Sequence, residues 1–290
     1  MVTSQVARRG VTDPGVLEAM REVPREAFVG AGMEEFAYED APLPIAAGQT
    51  ISQPYIVALM IEAAHIKPND RVLDVGTGSG YAAAVLSRLA GKVFSIERHR
   101  KLADSARRVL NKLKYTNVEV RHGDGTLGWA DASPFDAILV AAGGPEVPEA
   151  LRRQLKIGGR LVIPIGEVGA IQELVKVVRD SEDRFHEEDL GPVTFVPLVG
   201  EAGWAEMATL RSPASATFSV ETFSMIVIVS MSFCLRSRGS DGKSSKRIML
   251  KMATQKSRES PANSRFLSSP QRSVHSAGSH FPPVQTVEKN

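Results

Sequence analysis

The chain has 290 residues and a formal net charge of +2, with 43% hydrophobic residues, 24 glycines and 17 prolines. This composition excludes collagen-like, coiled-coil and wholly disordered chains. The charge divides unevenly, because residues 1–207 hold 23 Lys and Arg against 29 Asp and Glu, whereas residues 208–290 hold 12 against 4. We therefore expect an acidic domain over 1–207, large enough to bury a sizeable core, and a basic, Ser-rich extension over 208–290.

Cysteine and histidine usage argues against a metal or disulfide framework. Cys234 is the single cysteine, and the six histidines are not spaced as zinc ligands. The N-terminus lacks the apolar core of a signal peptide, and the most apolar run of the extension, 225–229, is far shorter than the roughly 20 residues of a membrane-spanning helix. We expect a cytoplasmic protein that has no metal and no membrane partner.

The N-terminal part of the chain is predicted to be helical. The run Thr12-Asp13-Pro14 supplies a helix cap and then a proline early in the first turn, and apolar residues follow at helical spacing until Pro24. Residues 37–50 contain two prolines, a glycine and no periodicity, which predicts a loop. A second helix is predicted to begin at Pro54.

From residue 71 onwards, short apolar runs alternate with helical patterns. The predicted elements are strand 71–75, helix 81–89, strand 92–97, helix 101–113, strand 118–122, strand 135–141 and helix 149–155. Segments 158–166, 172–180 and 193–199 are strand-like, with a charged turn over 181–189. This order predicts the α/β class: a doubly wound, mostly parallel, Rossmann-like sheet with N-terminal helices and an antiparallel edge.

The extension over 208–290 follows no such pattern. It mixes Ser, Arg and Lys with one short β-like run, which predicts disorder or a poorly specified segment. Its basic clusters could contact phosphates, but aromatic residues are few and no groove-entering motif is present. We favour a translated shifted reading frame or a degraded former domain, and expect a monomer without a nucleic-acid partner.

The predicted strand 71–75 ends in three glycines at alternate positions (Gly76, Gly78 and Gly80), directly before a helix. Glycine permits positive φ and a close approach of backbone to ligand, so this turn predicts a nucleotide or nucleoside site at the carboxyl edge of the sheet. The spacing differs from the dinucleotide pattern G-x-G-x-x-G, and Asp74 disfavours a pyrophosphate. A ligand with an ammonium and a sulfonium, such as S-adenosylmethionine, suits it better. The structural alternative is a plain tight turn.

Two further acids follow the next strands. Glu97 ends the strand 92–97, where a carboxylate could accept both ribose hydroxyl protons. Asp124, beside Gly125, follows the third strand, where an acid could meet an adenine edge. Taken singly, the two acids could be a helix N-cap and an Asp-Gly turn. Together with Asp74 they predict a line of acids along one crevice.

Several segments carry a resemblance to a known family: VLEAMREVPREAFV, GQTISQPYIVALM, VLDVGTGSGY, SIER, RHGDG and IPIG. In this order they resemble protein-L-isoaspartate O-methyltransferases over roughly residues 10–200. The glycine loop alone indicates only an S-adenosylmethionine-dependent methyltransferase, and ISQP, preceded by PLPIAAGQT, narrows the resemblance. The resemblance implies a repair enzyme that moves a methyl group from S-adenosylmethionine to the free carboxylate of L-isoaspartyl or D-aspartyl residues in damaged proteins and peptides.

The resemblance also implies roles for single residues. Ser52 matches the family's active-site serine, and we interpret it as orienting the substrate carboxylate, which is already ionised near pH 7 and needs no general base. Its structural alternative is a cap for the helix that begins at Pro54. The residues expected to bind the cofactor are Asp74, Gly76, Thr77, Gly78, Ser79, Gly80, Glu97, Asp124 and Gly125, and those expected to contact the substrate are Ile51, Gln53 and Pro54.

Some positions fall outside these assignments. Ala141 stands where the family usually has a threonine, so no role is carried to it. Residues 98–101 are expected to be solvated surface, and loop 41–53 is expected to fold over an extended peptide.

Two rival functions stay open: a methyltransferase for another small acceptor, and a non-catalytic protein that binds nucleic acid through its basic extension.

Overall fold

The computed structural model describes residues 1–206, so the basic extension predicted over 208–290 lies outside the described residues. The N-terminal region consists of a π-helical turn (Val2–Val6), 3₁₀ turns at Ala7–Arg9, Arg25–Phe28, Glu34–Phe36 and Ala46–Gly48, helices α1 (Pro14–Glu22) and α2 (Pro54–Ala64), and short strands β1 (Leu43–Pro44) and β2 (Thr50–Ile51). The cap predicted within Thr12-Asp13-Pro14 is Asp13, whose Oδ1 accepts the N–H of Val16 at 3.0 Å.

Residues 37–50, predicted as a loop, contain a small hairpin. β1 and β2 pair antiparallel, with Leu43 opposite Ile51 and Pro44 opposite Thr50. The connection turns through Ala47, which has a φ of 56°. Each strand has only two residues, which is too short for a period-2 pattern to show in the sequence.

The remainder of residues 1–206 forms the α/β unit that the alternation predicts. Its helices are α3 (Tyr81–Ser87), α4 (Arg100–Lys112) and α5 (Glu149–Arg153). Its strands are β3 (Arg71–Val75), β4 (Lys92–Glu97), β5 (Val118–His122), β6 (Phe135–Val140), β7 (Leu155–Ile165), β8 (Gln172–Arg179) and β9 (Phe185–Val193). α3 and α5 are each two residues shorter than predicted, and Leu155 opens β7 instead of closing α5.

The seven strands lie in the order β5-β4-β3-β6-β7-β8-β9. β3 to β7 are parallel, whereas β8 is antiparallel to both of its neighbours. From β3 the chain adds β4 and β5 on one side and then returns to add β6 on the other. The carboxyl ends of β3 and β6 therefore flank the point where the strand order reverses, the usual ligand position of such sheets. The predicted fold class is confirmed.

The core beneath this point is apolar and closely packed. Leu73, Phe135 and Ile138 are fully buried. The ring of Phe94 packs edge-on against the rings of Trp129 and Phe135, with centroids 5.4 and 5.7 Å apart. Such rings bury large areas and favour this geometry, so the sheet is a rigid support for the loops at its carboxyl edge.

The predicted end of the sheet is wrong in detail. β9 begins at Phe185 and so takes in the second half of the charged segment 181–189. It is the edge strand, and its acidic side chains are exposed, so it lacks the alternation of apolar and polar residues that a half-buried strand shows. Charges on an edge strand discourage pairing with another chain. Residues 193–199 leave the sheet after Val193 and return to the carboxyl end of β6, where the N–H of Gly143 donates to Val196 O at 2.8 Å.

Candidate active site

A cavity opens at the carboxyl ends of β3, β4 and β6. The empty space between its walls, with the open mouth included, is about 950 Å³. Two groups of residues form most of the lining: the loop wall, residues 76–79 and 96–99, and the serine wall, residues 49–52 and 196–199. The other lining residues are Val57, Val75, Tyr81, Ala82, Gly125, Ala141 and Ala142.

The loop wall begins with the predicted glycine loop. Gly76 and Gly78 have φ values of 95° and 55°, which favour glycine. At Gly76 an added methyl group would come 3.4 Å from the Cβ of Ala141, which takes the place of the threonine usual in the family. The N–H groups of Gly76 and Thr77 donate to Ile96 O at 2.9 and 3.2 Å, so the loop is held by the neighbouring strand.

Asp74 lies beneath the glycine loop and does not line the cavity. It is buried, and its Oδ2 accepts the hydroxyl of Ser95 at 2.6 Å, while Ser95 Oγ lies 2.5 Å from Thr77 Oγ1. This chain of hydroxyls connects the carboxylate to the loop wall. The pKa of Asp74 is raised to about 6: burial is the main cause, the hydrogen bond from Ser95 lowers the pKa, and the nearby Glu97 carboxylate raises it. An ammonium or sulfonium above the loop would favour the ionised form.

Glu97 is a buried residue of the loop wall, at the end of β4 as predicted. Its Oε2 accepts the N–H of Gly78 at 2.8 Å, and its Oε1 accepts the N–H of His99 at 2.9 Å. These bonds fix the carboxylate and leave lone pairs on both oxygens. The geometry therefore suits a ribose diol, which presents two hydroxyl donors side by side.

Asp124 and Gly125 occupy different positions relative to the cavity. Gly125 lines it, and an added methyl group would come 2.5 Å from Val75 Cγ1, so only glycine fits without a shift. Asp124 does not line it. Its Oδ1 accepts the N–H and hydroxyl of Thr126 at 2.8 and 2.7 Å, and its Oδ2 accepts the N–H of Glu201 at 2.7 Å. Asp124 thus fastens this turn to the segment that follows the serine wall.

The residues present fit S-adenosylmethionine. Ser79 Oγ is buried and has no hydrogen-bond partner among residues 1–206, although it belongs to the loop wall. A buried hydroxyl without a partner is costly, and a polar ligand in the cavity would relieve that cost. Ser79 and Glu97 would hold polar groups of such a ligand, with the charge of Asp74 beneath the cation. Gly80 does not line the cavity and is instead the N-cap residue of α3.

Ser52 lies in the serine wall beside Ile51. The N-cap of α2 is Gln53, without a side-chain cap, so the structural alternative of a Ser52 cap is wrong. A distant residue takes that role, since Asp40 Oδ1 accepts the N–H of Tyr55 at 2.9 Å. Hydrogen bonds within the described part of the chain do not engage the Ser52 hydroxyl.

Two of the expected substrate contacts lie away from the cavity. The Gln53 amide turns to Asp40 and donates to its Oδ2 at 2.9 Å, and Pro54 is the buried first residue of α2. The hairpin that carries Ile51 lies against the glycine loop instead, because Ile45 Cδ1 would be 3.5 Å from a methyl group added at Gly78. The hairpin therefore brings the serine wall and the loop wall together.

The sequence motifs do not reveal the second half of the serine wall, residues 196–199. The Gln172 side chain holds this segment, since its Oε1 accepts the N–H of Phe195 at 2.8 Å and its Nε2 donates to Phe195 O at 3.3 Å. The N–H of Leu198 donates to Gly143 O at 2.8 Å. Nothing in the sequence marks Gln172 as a residue that would hold a distant segment. The position of residues 196–199 in the cavity is therefore visible only in the folded structure.

Arg98 and His99 also line the cavity, so solvated surface is wrong for these two residues. The Arg98 side chain is 33% exposed, and its Nη2 donates to Glu206 Oε1 at 2.9 Å. The motif SIER ends on Arg98, and this position directly after the predicted ribose acid is the signal in the sequence that points to it.

Residues 1–206 contain no group of three or more His, Cys, Asp or Glu that could hold a metal ion, and no helix with the length and apolar character of a membrane span.

A mostly parallel sheet, a glycine loop at its switch point and two buried carboxylates beside that loop define an S-adenosylmethionine-dependent methyltransferase. The profile of the protein-L-isoaspartate(D-aspartate) O-methyltransferase family matches residues 1–203. The chain belongs to this family. Membership confirms the function expected from the sequence, which is methyl transfer from S-adenosylmethionine in the repair of isoaspartyl-containing proteins.

Individual relatives agree with the family match. Protein-L-isoaspartate O-methyltransferase 2 of Pelobacter propionicus is 59% identical over 204 residues, which cover 70% of this chain and 91% of the relative. The enzyme of Rhodopseudomonas palustris is 58% identical over 206 residues, covering 71% and 94%.

Solved structures of the family are also similar. A protein-L-isoaspartate O-methyltransferase structure has a TM-score of 0.62 and 33% identity, covering 68% of this chain and 64% of that chain. A Plasmodium falciparum structure of the same enzyme type, in complex with S-adenosyl-L-homocysteine, has a TM-score of 0.59 and 29% identity, covering 67% and 94%.

Proposed function

We propose that repair takes place in the one cavity described above, with the methyl donor against the loop wall and the isoaspartyl carboxylate at Ser52. The observation that carries this proposal is that Ser52 and the glycine loop line the same cavity. The cap of α2 comes from Asp40, so the Ser52 hydroxyl is free to donate to a substrate. A second function is not favoured by any contact of the described residues.

Ser52 acts by orientation in this proposal. When bound, S-adenosylmethionine would supply an electrophilic methyl carbon. An ionised carboxylate oxygen would form the new C–O bond as the S–CH3 bond breaks and S-adenosyl-L-homocysteine leaves, so no general base is needed. The Ser52 hydroxyl donates a hydrogen bond to one carboxylate oxygen and so directs the other towards the methyl carbon. The apolar residues Ile51 and Val196 help to exclude water. Orientation of this kind can lower a barrier by about 7–11 kcal/mol in favourable cases.

Residues on the loop wall bind the methyl donor. Glu97 accepts the ribose hydroxyls, Ser79 bonds a polar group of the donor, and the charge of Asp74 stabilises its cationic end from beneath. The backbone of the Gly125 turn approaches the adenine. Asp124 acts on this turn indirectly, through its bonds to Thr126 and Glu201.

The test compares an isoaspartyl peptide with its normal aspartyl twin, using tritiated methyl transfer from S-adenosylmethionine. We expect label in the isoaspartyl peptide alone. Label in neither peptide, or equal label in both, would contradict the proposed acceptor. A small non-peptide carboxylate in the same assay tests the rival of another acceptor.

We also propose that residues 1–207 are the catalytic domain and that residues 208–290 are not needed for methyl transfer. The end of the family match at residue 203 supports this boundary. A cytoplasmic location, a monomeric state and the lack of a nucleic-acid partner stay predictions from the sequence. A chain ending at residue 207 should keep the turnover of the full chain. If removal of the extension instead abolished a salt-sensitive affinity for nucleic acid, the binding rival would be favoured.

A further inference from the structure

Arg25 is a buried cation close to Ser52. It lies in the 3₁₀ turn Arg25–Phe28, its exposed fraction is 0%, and none of the ion pairs among residues 1–206 includes it. Burial lowers its pKa to about 10, which still leaves it charged at neutral pH. Burying a charged group is costly, and the nearby Tyr81 and the Asp40 carboxylate offset part of that cost by favouring the charged form.

The guanidinium of Arg25 connects both ends of the segment that carries the serine. Its Nε donates to Ala37 O at 2.8 Å, and its Nη2 donates to Ser52 O at 2.8 Å. These carbonyls lie on either side of the β1–β2 hairpin. A planar guanidinium presents several N–H donors in a fixed fork, so one side chain sets the separation of the two carbonyls. Lysine cannot reproduce this geometry, because its ammonium is a single point of donation.

The same guanidinium also contacts the cavity lining. Its Cζ lies 4.7 Å from the centroid of the Tyr81 ring, and Tyr81 lines the cavity directly after the glycine loop. Nη1 has no hydrogen-bond partner among the described residues. Polar groups left unsatisfied in a core are more common at functional sites than in purely structural positions. Arg25 therefore contacts the backbone of Ser52 and a cavity residue next to the loop wall at once.

We propose that Arg25 is a positioning residue, which holds the Ser52 hydroxyl at the place where it orients the substrate carboxylate. It contacts neither substrate nor cofactor, because it is not part of the cavity lining. It acts through the Ser52 carbonyl, and the Tyr81 ring fixes the plane of the guanidinium. This inference rests on the role proposed for Ser52.

The test is a double-mutant cycle with Arg25→Lys and Ser52→Ala, singly and together, in the full chain. Turnover and KM are measured with an isoaspartyl peptide, and the affinity for S-adenosyl-L-homocysteine is measured by calorimetry. We expect Arg25→Lys to lower kcat about tenfold, with the affinity for S-adenosyl-L-homocysteine unchanged. In the Ser52→Ala background the same substitution should change kcat by less than about twofold, because there is no hydroxyl left to position. Arg21→Lys, at an exposed arginine of α1, is the matched control.

The outcomes separate the two proposals. If Ser52→Ala keeps full turnover, the role of Ser52 fails and that of Arg25 falls with it. If Ser52→Ala is impaired but Arg25→Lys is fully active, or lowers kcat by the same factor in both backgrounds, only the positioning role is overturned. Arg25→Gln is the second variant. A failure of both Arg25 variants to fold and to bind S-adenosyl-L-homocysteine would also overturn the proposal, since it would make Arg25 a residue of the fold itself.

Discussion

The loop wall and the serine wall of the cavity are built in different ways. The loop wall follows the ends of two regular parallel strands, β3 and β4, and its bonds run between them, from Gly76 and Thr77 to Ile96 and from Gly78 to Glu97. The serine wall consists of a two-residue strand and an irregular segment, which are held by single buried side chains. The wall expected to bind the cofactor is thus held by backbone bonds between strands of the sheet. The wall expected to bind the methyl acceptor depends on a few buried side chains.

This comparison predicts which properties single substitutions change. A change on the serine wall should impair turnover and leave cofactor affinity intact, and a change on the loop wall should do the reverse. Four substitutions, in the two walls or in residues that support them, probe this comparison, beginning with the largest expected effect.

Ser52→Ala should lower kcat about 100-fold, because the substrate carboxylate loses its orienting donor. The affinity for S-adenosyl-L-homocysteine should be unchanged, since that ligand binds the loop wall. Tritiated methyl transfer measures kcat, and calorimetry measures the affinity. Ser105→Ala, in α4, is the control. An equal loss of turnover and affinity would mean that the two walls are not separable.

Asp74→Asn should make the ligand-free protein more stable at about pH 7.5, by on the order of 2 kcal/mol. The pKa of Asp74 is raised to about 6, so its stabilising contribution is present at low pH and is lost as the pH rises through about 6. The gain from Asp74→Asn should therefore shrink as the pH falls to about 4.5. Urea unfolding at both pH values measures it.

The same substitution should weaken S-adenosylmethionine binding, because the charge beneath the cation is removed. Asp131→Asn, at an exposed site, controls for loss of a carboxylate. A stability difference that stays constant with pH would show that titration of Asp74 is not its cause.

Glu97→Gln should weaken the binding of S-adenosyl-L-homocysteine about tenfold. An amide can keep only one of the two bonds that the carboxylate accepts from Gly78 and His99, and it is a weaker acceptor for ribose hydroxyls. Calorimetry gives the affinity, and kcat at saturating methyl donor should change little. The exposed Glu119→Gln is the comparison, and a fall in kcat alone would contradict the assignment to the loop wall.

Asp40→Asn should lower the free energy of unfolding by about 1 kcal/mol. Its carboxylate accepts from Arg9, Gln53 and the N–H of Tyr55, and an amide cannot accept all of them. Urea unfolding measures the loss, and cofactor affinity should not change. Asp104→Asn, whose partner Arg107 lies one helical turn away at the surface, should cost less. If the two substitutions cost the same, the distant cap of α2 contributes little.

Most of the loop wall could be predicted from the sequence because its residues follow the strands in order, although Arg98 and His99 were expected at the surface. The glycines follow the predicted strand 71–75 and Glu97 ends the predicted strand 92–97, and the parallel topology then brings them to one edge. Ser52 was found through the resemblance, whereas the spacing near Pro54 also allowed a helix cap. The N–H of Tyr55 donates to Asp40, which excludes the cap by Ser52, and no local pattern links these residues. The role of Ser52 towards the substrate stays a prediction.

The parts that sequence patterns missed have a common cause. β9 has exposed acidic residues where a strand usually alternates apolar and polar residues. It is an edge strand, and its open side faces solvent instead of another strand. Residues 196–199 are strand-like in composition, but Gln172 and Gly143 draw them to the cavity through backbone bonds. The conformations of these two segments depend on residues that are distant in the sequence, so a local sequence pattern cannot predict them.

The segment 195–204 has a consequence for synthesis on the ribosome. It joins the rest of the molecule at Gln172, Gly143 and Asp124, all of which are made earlier. A nascent chain therefore exposes β3, β4 and the glycine loop well before the second half of the serine wall exists. The serine wall is therefore complete only after residues 196–199 have been synthesised and this segment has bonded to Gly143 and Gln172.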